Sequence, residues 1–197
     1  MTATVQKNPL LIGQGLPPFK EIQPEHIKSG IDALLATLAA ELESLEAAVE
    51  PTWSGLVEPL TQLEERLSWS WSIIGHLMGV KNSPELRAAY EAVQPGLVQF
   101  ANRMGQSQPL YKAFKHIREG ALWGDLTSAQ QRIIEAAIRD AELSGVGLEG
   151  ETKERFNQIQ QELAELSTNF SNHVLDATKA FQLTLQTPEE IDGLPKS

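Results

Sequence analysis

Residues 151–180 read ETKERFNQIQQELAELSTNFSNHVLDATKA, and this stretch decides the fold. Phe156, Ile159, Leu163, Leu166, Phe170, His173 and Ala177 recur at alternating intervals of three and four, the spacing that lines one face of an α-helix. No glycine or proline interrupts the run, so the spacing predicts the longest helix of the chain over about Glu151 to Ala180. A seam of this kind is coiled-coil-like and demands a partner helix along its length.

At Phe181 the period changes from about 3.6 to 2. Phe181, Leu183 and Leu185 alternate with Gln182, Thr184 and Gln186, the pattern of a half-buried strand near 181–187. No second convincing strand exists to satisfy its hydrogen bonds, so the pairing strand is expected to come from elsewhere. Thr187, Pro188 and Glu190 start a short turn that Gly193 ends, leaving 194–197 as a lead-in. Position 197 is accordingly expected to be a cut in a longer protein.

Upstream the chain is almost entirely helical. Pro24 opens a helix to about Glu50 whose apolar face uses Ile27, Ile31, Leu34, Leu35, Leu38, Leu42, Leu45 and Val49. Pro51 stops it, and Thr52 caps a second helix to about Lys81, with a local kink expected at Pro59. Ser83, Pro84 and Glu85 open a third helix to about Met104, with Pro95 inside it. A shorter helix follows Pro109 and ends at Gly120. Thr127 with Gln130 forms a capping box ahead of the stripe Ile133, Ile134, Ala137, Ile138 and Ala141, and Gly145 and Gly147 end that helix. The expected fold class is all-α: an antiparallel helical bundle with a long C-terminal helix and one orphan strand. The expected organisation is an extended arm over 1–23, in which only Leu10, Leu11, Ile12, Leu16 and Phe19 can dock, a helical domain over 24–180, and a segment over 181–197 that continues in the parent protein.

Composition narrows the function. Of 197 residues 41% are apolar and 21% charged, so the chain is long and apolar enough to bury a core. Sixteen Lys and Arg against 26 Asp and Glu give a net charge of −10. That balance repels phosphate backbones and anionic lipid, so neither nucleic acid nor membrane is expected as a partner. With no cysteine, a disulfide scaffold, a thiolate metal site and a cysteine nucleophile all fall away, and the expected location is cytoplasmic. The longest apolar stretch, Trp69 to Val80, is too short to span a bilayer.

The candidate chemistries fail on spacing. A zincin needs H-E-x-x-H, because two imidazoles one helical turn apart converge on the metal while the Glu activates water. The four histidines here are followed by Ile27, Leu77, Ile117 and Val174. A di-iron bundle needs Glu three residues before its histidine, and those positions hold Gln23, Ile73, Ala113 and Phe170. Ser72 before His76 and Ser171 before His173 lie within helices and read as packing rather than a triad. Gly13 and Gly15 lack the further glycine of a phosphate-binding turn. His173 reads as a core histidine on the seam, and the tryptophans at 69 and 71 as packing against the next helix rather than as a peptide groove. Glu64 with Glu65, and Glu41 with Glu43, read as solvated helix faces. No catalytic or metal-binding residue is assigned, and the substrate-binding residues stay unknown.

Several strings, in order, carry a resemblance. They are Asn8-Pro9-Leu10-Leu11; Leu16-Pro17-Pro18-Phe19 with Ile22-x-Pro24-Glu25-His26; Thr52-Trp53 with Leu56-Val57-Glu58-Pro59-Leu60; and Trp71 with His76-Leu77. Asn82-Ser83-Pro84-Glu85-Leu86-Arg87, Leu143-Ser144-Gly145-Val146-Gly147-Leu148 and Phe170-Ser171-Asn172-His173-Val174-Leu175-Asp176-Ala177-Thr178 continue them, and Gly193-Leu194-Pro195 closes the series. In order and spacing the chain resembles the N-terminal region of oligopeptidase A / thimet oligopeptidase-type zinc metallopeptidases. The resemblance implies a helical region facing a zinc-bearing region across a narrow channel that admits short peptides and excludes folded proteins. It also implies zinc as the cofactor of the intact parent, with none in this chain, and as partners short peptides and the remaining catalytic domain of the same polypeptide. The family's zinc ligands match no position here, so this chain alone is expected to be inactive. The alternatives are a helical interaction module that binds a partner helix through the 156–177 seam, and a shortened homologue that binds peptides without cutting them.

Overall fold

The computed structural model describes residues 8–193 and is all-α. Its helices are α1 (Pro24–Ala47), α2 (Glu58–Val80), α3 (Pro84–Gly105), α4 (Gln108–Glu119), α5 (Ser128–Leu143) and α6 (Gly150–Ala180). The chain divides into two compact units between Gln161 and Glu162, so residues 150–161 of α6 belong to the first and 162–180 to the second.

In the first unit α1 is the hub, packing against α2, α3, α4 and the 3-10 turn Pro9–Leu11. Its apolar stripe serves two cores. Ile27 and Ile31 join Leu10, Ile22, Ile73, Ile74, Leu86 and Val93 in one. One turn further, Leu34, Leu38 and Leu42 join Leu56, Leu63, Phe100, Phe114 and Ile134 in the other. Ile27, Ile31, Leu38 and Leu42 are wholly buried, and each such side chain contributes roughly 1.5–3 kcal/mol of apolar transfer, an upper estimate because the unfolded chain is itself partly collapsed.

The caps fall where the sequence places them. The hydroxyl oxygens of Ser83 and Thr127 accept from the amides of Leu86 (3.2 Å) and Gln130 (3.3 Å). Gln130 Oε1 returns the favour to the Thr127 amide at 3.0 Å, completing the capping box. At α4 the cap is Ser107, one residue before the helix begins at Gln108. Pro95 lies inside α3 without ending it. The helix expected from Thr52 differs in its first turn. Thr52 does cap, its Oγ1 accepting from Gly55 at 2.9 Å, but the chain first winds as a π-helical turn, Trp53–Val57, and the regular helix begins at Glu58 with Pro59 in its opening turn. There the missing N–H of proline is no loss.

The arm is anchored more firmly than an extended segment. Asn8 Nδ2 donates to the His26 carbonyl at 2.7 Å and to Ser29 Oγ at 3.2 Å, while its Oδ1 accepts from the Leu10 amide at 3.0 Å. Ser70 Oγ donates to the Leu10 carbonyl at 2.7 Å. Leu10 is thereby fully buried, whereas Leu16 is exposed and residues 1–7 lie outside the described residues. Asn8 fits because Gly30 has no side chain: a Cβ there would stand 2.9 Å from Asn8 Nδ2. Alanine in a helix interior is worth up to about 1 kcal/mol over glycine, but displacing Asn8 forfeits its hydrogen bonds and the docking of Leu10. Gly30→Ala should therefore lower stability by about 1–2 kcal/mol in urea titrations; an unchanged or raised midpoint would remove Asn8 as the anchor.

The second unit holds α6 from Glu162, an extended stretch and the 3-10 turn Pro188–Ile191. The strand expected near 181–187 is not formed: residues 181–186 have no regular structure, and no strand occurs among the described residues. The alternating pattern is present in sequence, but a strand exists only through a ladder of hydrogen bonds to a neighbour, and 181–187 is exposed throughout. Phe156 is half-buried, but along the seam that follows Ile159, Leu163, Leu166 and Phe170 are exposed, the last two at 64% and 70%.

Candidate functional site

The residues that invite a chemical reading are dispersed by the fold. His26 serves α1, its Nδ1 accepting from the Gln23 amide at 3.1 Å. His76 packs its ring against Phe19, centroids 5.2 Å apart. His116 and His173 are exposed, so His173 is a surface residue rather than the core histidine its place on the seam suggested. Ser171 Oγ donates to the Ser167 carbonyl within its own helix at 2.9 Å. Among the described residues no three His, Asp or Glu side chains gather as a metal would require, so none of them fits a catalytic zinc ion.

The tryptophans are structural. Trp71 of α2 stacks on Tyr90 of α3 with centroids 4.5 Å apart, and Trp69 Nε1 donates to the Gly15 carbonyl at 3.1 Å, holding the loop that turns at Gly13 and Gly15 within the arm. Gly13 and Gly15 adopt positive φ, 72° and 75°, which gives that loop its turn. Glu41, read from sequence as a solvated face, forms a two-pronged ion pair with Arg66 that links α1 to α2.

Two recesses of the first unit are lined wholly by described residues. The larger, 770 Å³, lies between α1, α2 and residues 10–14, with Leu11, Leu34 and Leu63 on its floor and the Glu41–Arg66 pair among its polar lining. The smaller, 440 Å³, lies between the second half of α3 and the first turns of α6, and every side chain lining it is polar. Sequence reasoning missed it. Its residues, Gln99 to Gln106 and Lys153 to Gln161, are ordinary surface types with 46 or more residues between the two groups, and no local pattern joins them.

Behind this recess Arg103 forms a bidentate pair with Glu46, Nη1 to Oε1 at 2.7 Å and Nη2 to Oε2 at 2.6 Å, and Ser107 Oγ donates to Oε1 at 2.6 Å. The hydrogen bond from Arg103 holds the Glu46 carboxyl below its ordinary value, helped by Ser107 and opposed by burial. Because the folded value is the lower one, the stabilisation is complete above the unfolded value of about 4.5 and is lost as pH falls through the folded value. The Glu46 side chain is 12% exposed but Arg103 is 46% exposed, and solvent screening limits the pair to roughly 1 kcal/mol. Glu46→Gln should cost about that much at pH 7 and shrink the difference between wild type and variant at pH 3. Equal differences at both pH values would show that the pair carries no pH-dependent stability.

The fold and these surfaces define an all-α domain in which His26 caps a helix, His76, Trp69 and Trp71 pack, His116 and His173 lie at the surface, and the long helix offers an apolar face. A family model described as Neurolysin/Thimet oligopeptidase, N-terminal domain, matches residues 31–153, and the chain belongs to that family. It is similar to the probable cytosolic oligopeptidase A of Arabidopsis thaliana, 53% identical over 194 residues, which are 98% of this chain and 28% of the relative. It is 52% identical over 194 residues to the organellar (chloroplastic/mitochondrial) oligopeptidase A of the same plant, 24% of whose length it covers. Oligopeptidase A of Escherichia coli (strain K12) is 39% identical over 191 residues, 96% of this chain and 28% of the relative. The chain thus spans about a quarter of the curated relatives it matches.

Proposed function

We propose that this chain is the channel-wall part of a zinc-dependent oligopeptidase that hydrolyses short peptides, and that the zinc site belongs to the remainder of the polypeptide. The observation that carries this reading is the match itself: relatives named oligopeptidase A align with nearly the whole chain, which covers 24–28% of their length. The exposed apolar seam on α6 supports it, since contiguous apolar patches on monomers mark interaction surfaces. The helical region, 24–180, selects substrate sterically, and the alternating segment near 181–187 gains its strand partner from the downstream part. The proposed location is the cytoplasm, in line with the name of the first relative.

In this reading the catalytic step runs through the remainder of the polypeptide, and the chain alone is inactive. Hydrolysis of a quenched fluorescent peptide by the purified chain, with zinc and with zinc plus a chelator, tests that point. We expect no turnover in either condition. Zinc-dependent, chelator-sensitive cleavage that co-purifies with the chain would overturn it.

The same seam favours a second reading, a helical interaction module without a peptidase partner. Stable binding to an isolated amphipathic helix but not to the remainder of an oligopeptidase A would favour it.

A further inference from the structure

We infer that the polar recess between α3 and α6 is a binding site for the free carboxylate of a short peptide. The inference rests on the chemistry of the lining and is independent of the peptidase reading.

The recess has 440 Å³, the size of a small-molecule site, yet no apolar side chain and no Asp or Glu lines it. In a chain of net charge −10 this is an unusual enclave. Six of its residues are amides, and three of these are held in place. Gln106, only 6% exposed, donates through Nε2 to the Ser144 carbonyl at 3.0 Å and to Asn157 Oδ1 at 2.8 Å. That second bond fixes the Asn157 amide with its own nitrogen still available as a donor. Gln161 Nε2 donates to the Pro95 carbonyl at 2.9 Å. The side-chain amides of the other three, Gln99, Asn102 and Gln158, have no hydrogen-bond partner among the described residues. Each offers two donors and an acceptor, the complement of a peptide group.

Two cations line the recess, and they differ. Arg103 is committed to Glu46 through two nitrogens and is neutralised there. The ammonium of Lys153, a half-buried residue, has no ion-pair partner among the described residues. One uncommitted positive charge beside donor-rich amides matches one negative charge. A carboxylate supplies that, whereas a phosphate dianion would leave half its charge uncompensated. The flanking amides suit the peptide groups next to a C-terminal carboxylate better than a bare acid.

The test is a titration of the uniformly ¹⁵N-labelled 197-residue chain with N-acetyl-dialanine, at constant ionic strength, following the side-chain amide resonances of Asn102, Gln106 and Asn157. We expect saturable shifts at these groups. The C-terminally amidated dipeptide should bind about tenfold more weakly, the order of one charge-assisted hydrogen bond. Lys153→Gln should give a similar loss, while Lys20→Gln, a control on the arm, should leave affinity unchanged. Acetate and inorganic phosphate should each bind more weakly than the dipeptide acid. The inference is overturned by shifts that rise linearly without saturation, by equal affinity for acid and amide, or by acetate or phosphate binding as well as the peptide. The amide comparison needs no variant, so the conclusion does not hang on the folding of Lys153→Gln.

Discussion

Substituting Leu166 and Phe170 together by glutamate should leave the chain folded and abolish its assembly with the remainder of an oligopeptidase A. Both side chains are largely exposed, 64% and 70%, so the change removes little from either core and is expected to shift stability by less than about 0.5 kcal/mol. At an interface the same pair would bury two large apolar groups. Placing two unpartnered carboxylates there instead costs several kcal/mol. At 1.4 kcal/mol per factor of ten, affinity should fall by at least about a hundredfold. Analytical ultracentrifugation of chain and remainder, supplied as separate polypeptides, reads this directly. Undiminished assembly of the double variant would move the interface off α6.

Leu38→Ala should destabilise the chain by about 2–5 kcal/mol, the range for truncating a fully buried leucine. Leu38 is wholly buried and belongs to the cluster that ties α1 to α2, α3, α4 and α5 through Leu63, Phe100, Phe114 and Ile134. Against a typical total of 5–15 kcal/mol, such a loss is a large share of what holds the domain. Leu163→Ala, the same chemical change on the 52% exposed seam, should cost under about 1 kcal/mol. Equal losses at the two sites in urea titrations would mean that the seam is buried in the isolated chain after all.

The contrast between these two leucines also shows what was legible in sequence. The three-and-four spacing on α1 and on α6 is the same signal, and it located both helices to within a few residues. Spacing reports that a face is apolar; it does not report whether the cover for that face lies in the same chain. On α1 the cover is α2, α3 and α4, and on α6 from Leu163 onward the face stays exposed. His173 differs from its expected core place for the same reason, since a seam position is core only where the seam is covered.

Other features were invisible because they join distant residues. Asn8, Gly30 and Ser70 form one anchoring cluster across 62 positions, and nothing in their neighbourhoods announces it. The start of α2 was blurred because Thr52 caps a π-helical turn and only then, at Glu58, does regular helix begin. The segment at 181–187 carries the alternation of a strand, but strands are made by pairs, and the pattern alone cannot supply the second member. The resemblance, by contrast, rested on strings whose physical reasons the fold reveals: Asn8 anchors the arm, His26 caps α1, and Ser83 caps α3.

The most direct test of the account is reconstitution. The remainder of the Arabidopsis thaliana cytosolic relative, lacking the stretch that matches this chain, would be assayed on a short quenched fluorescent peptide and on a folded protein, with and without the chain added. Adding the chain should raise short-peptide hydrolysis and leave the folded protein uncut. A remainder that cleaves both substrates at the same rates whether or not the chain is present would contradict it.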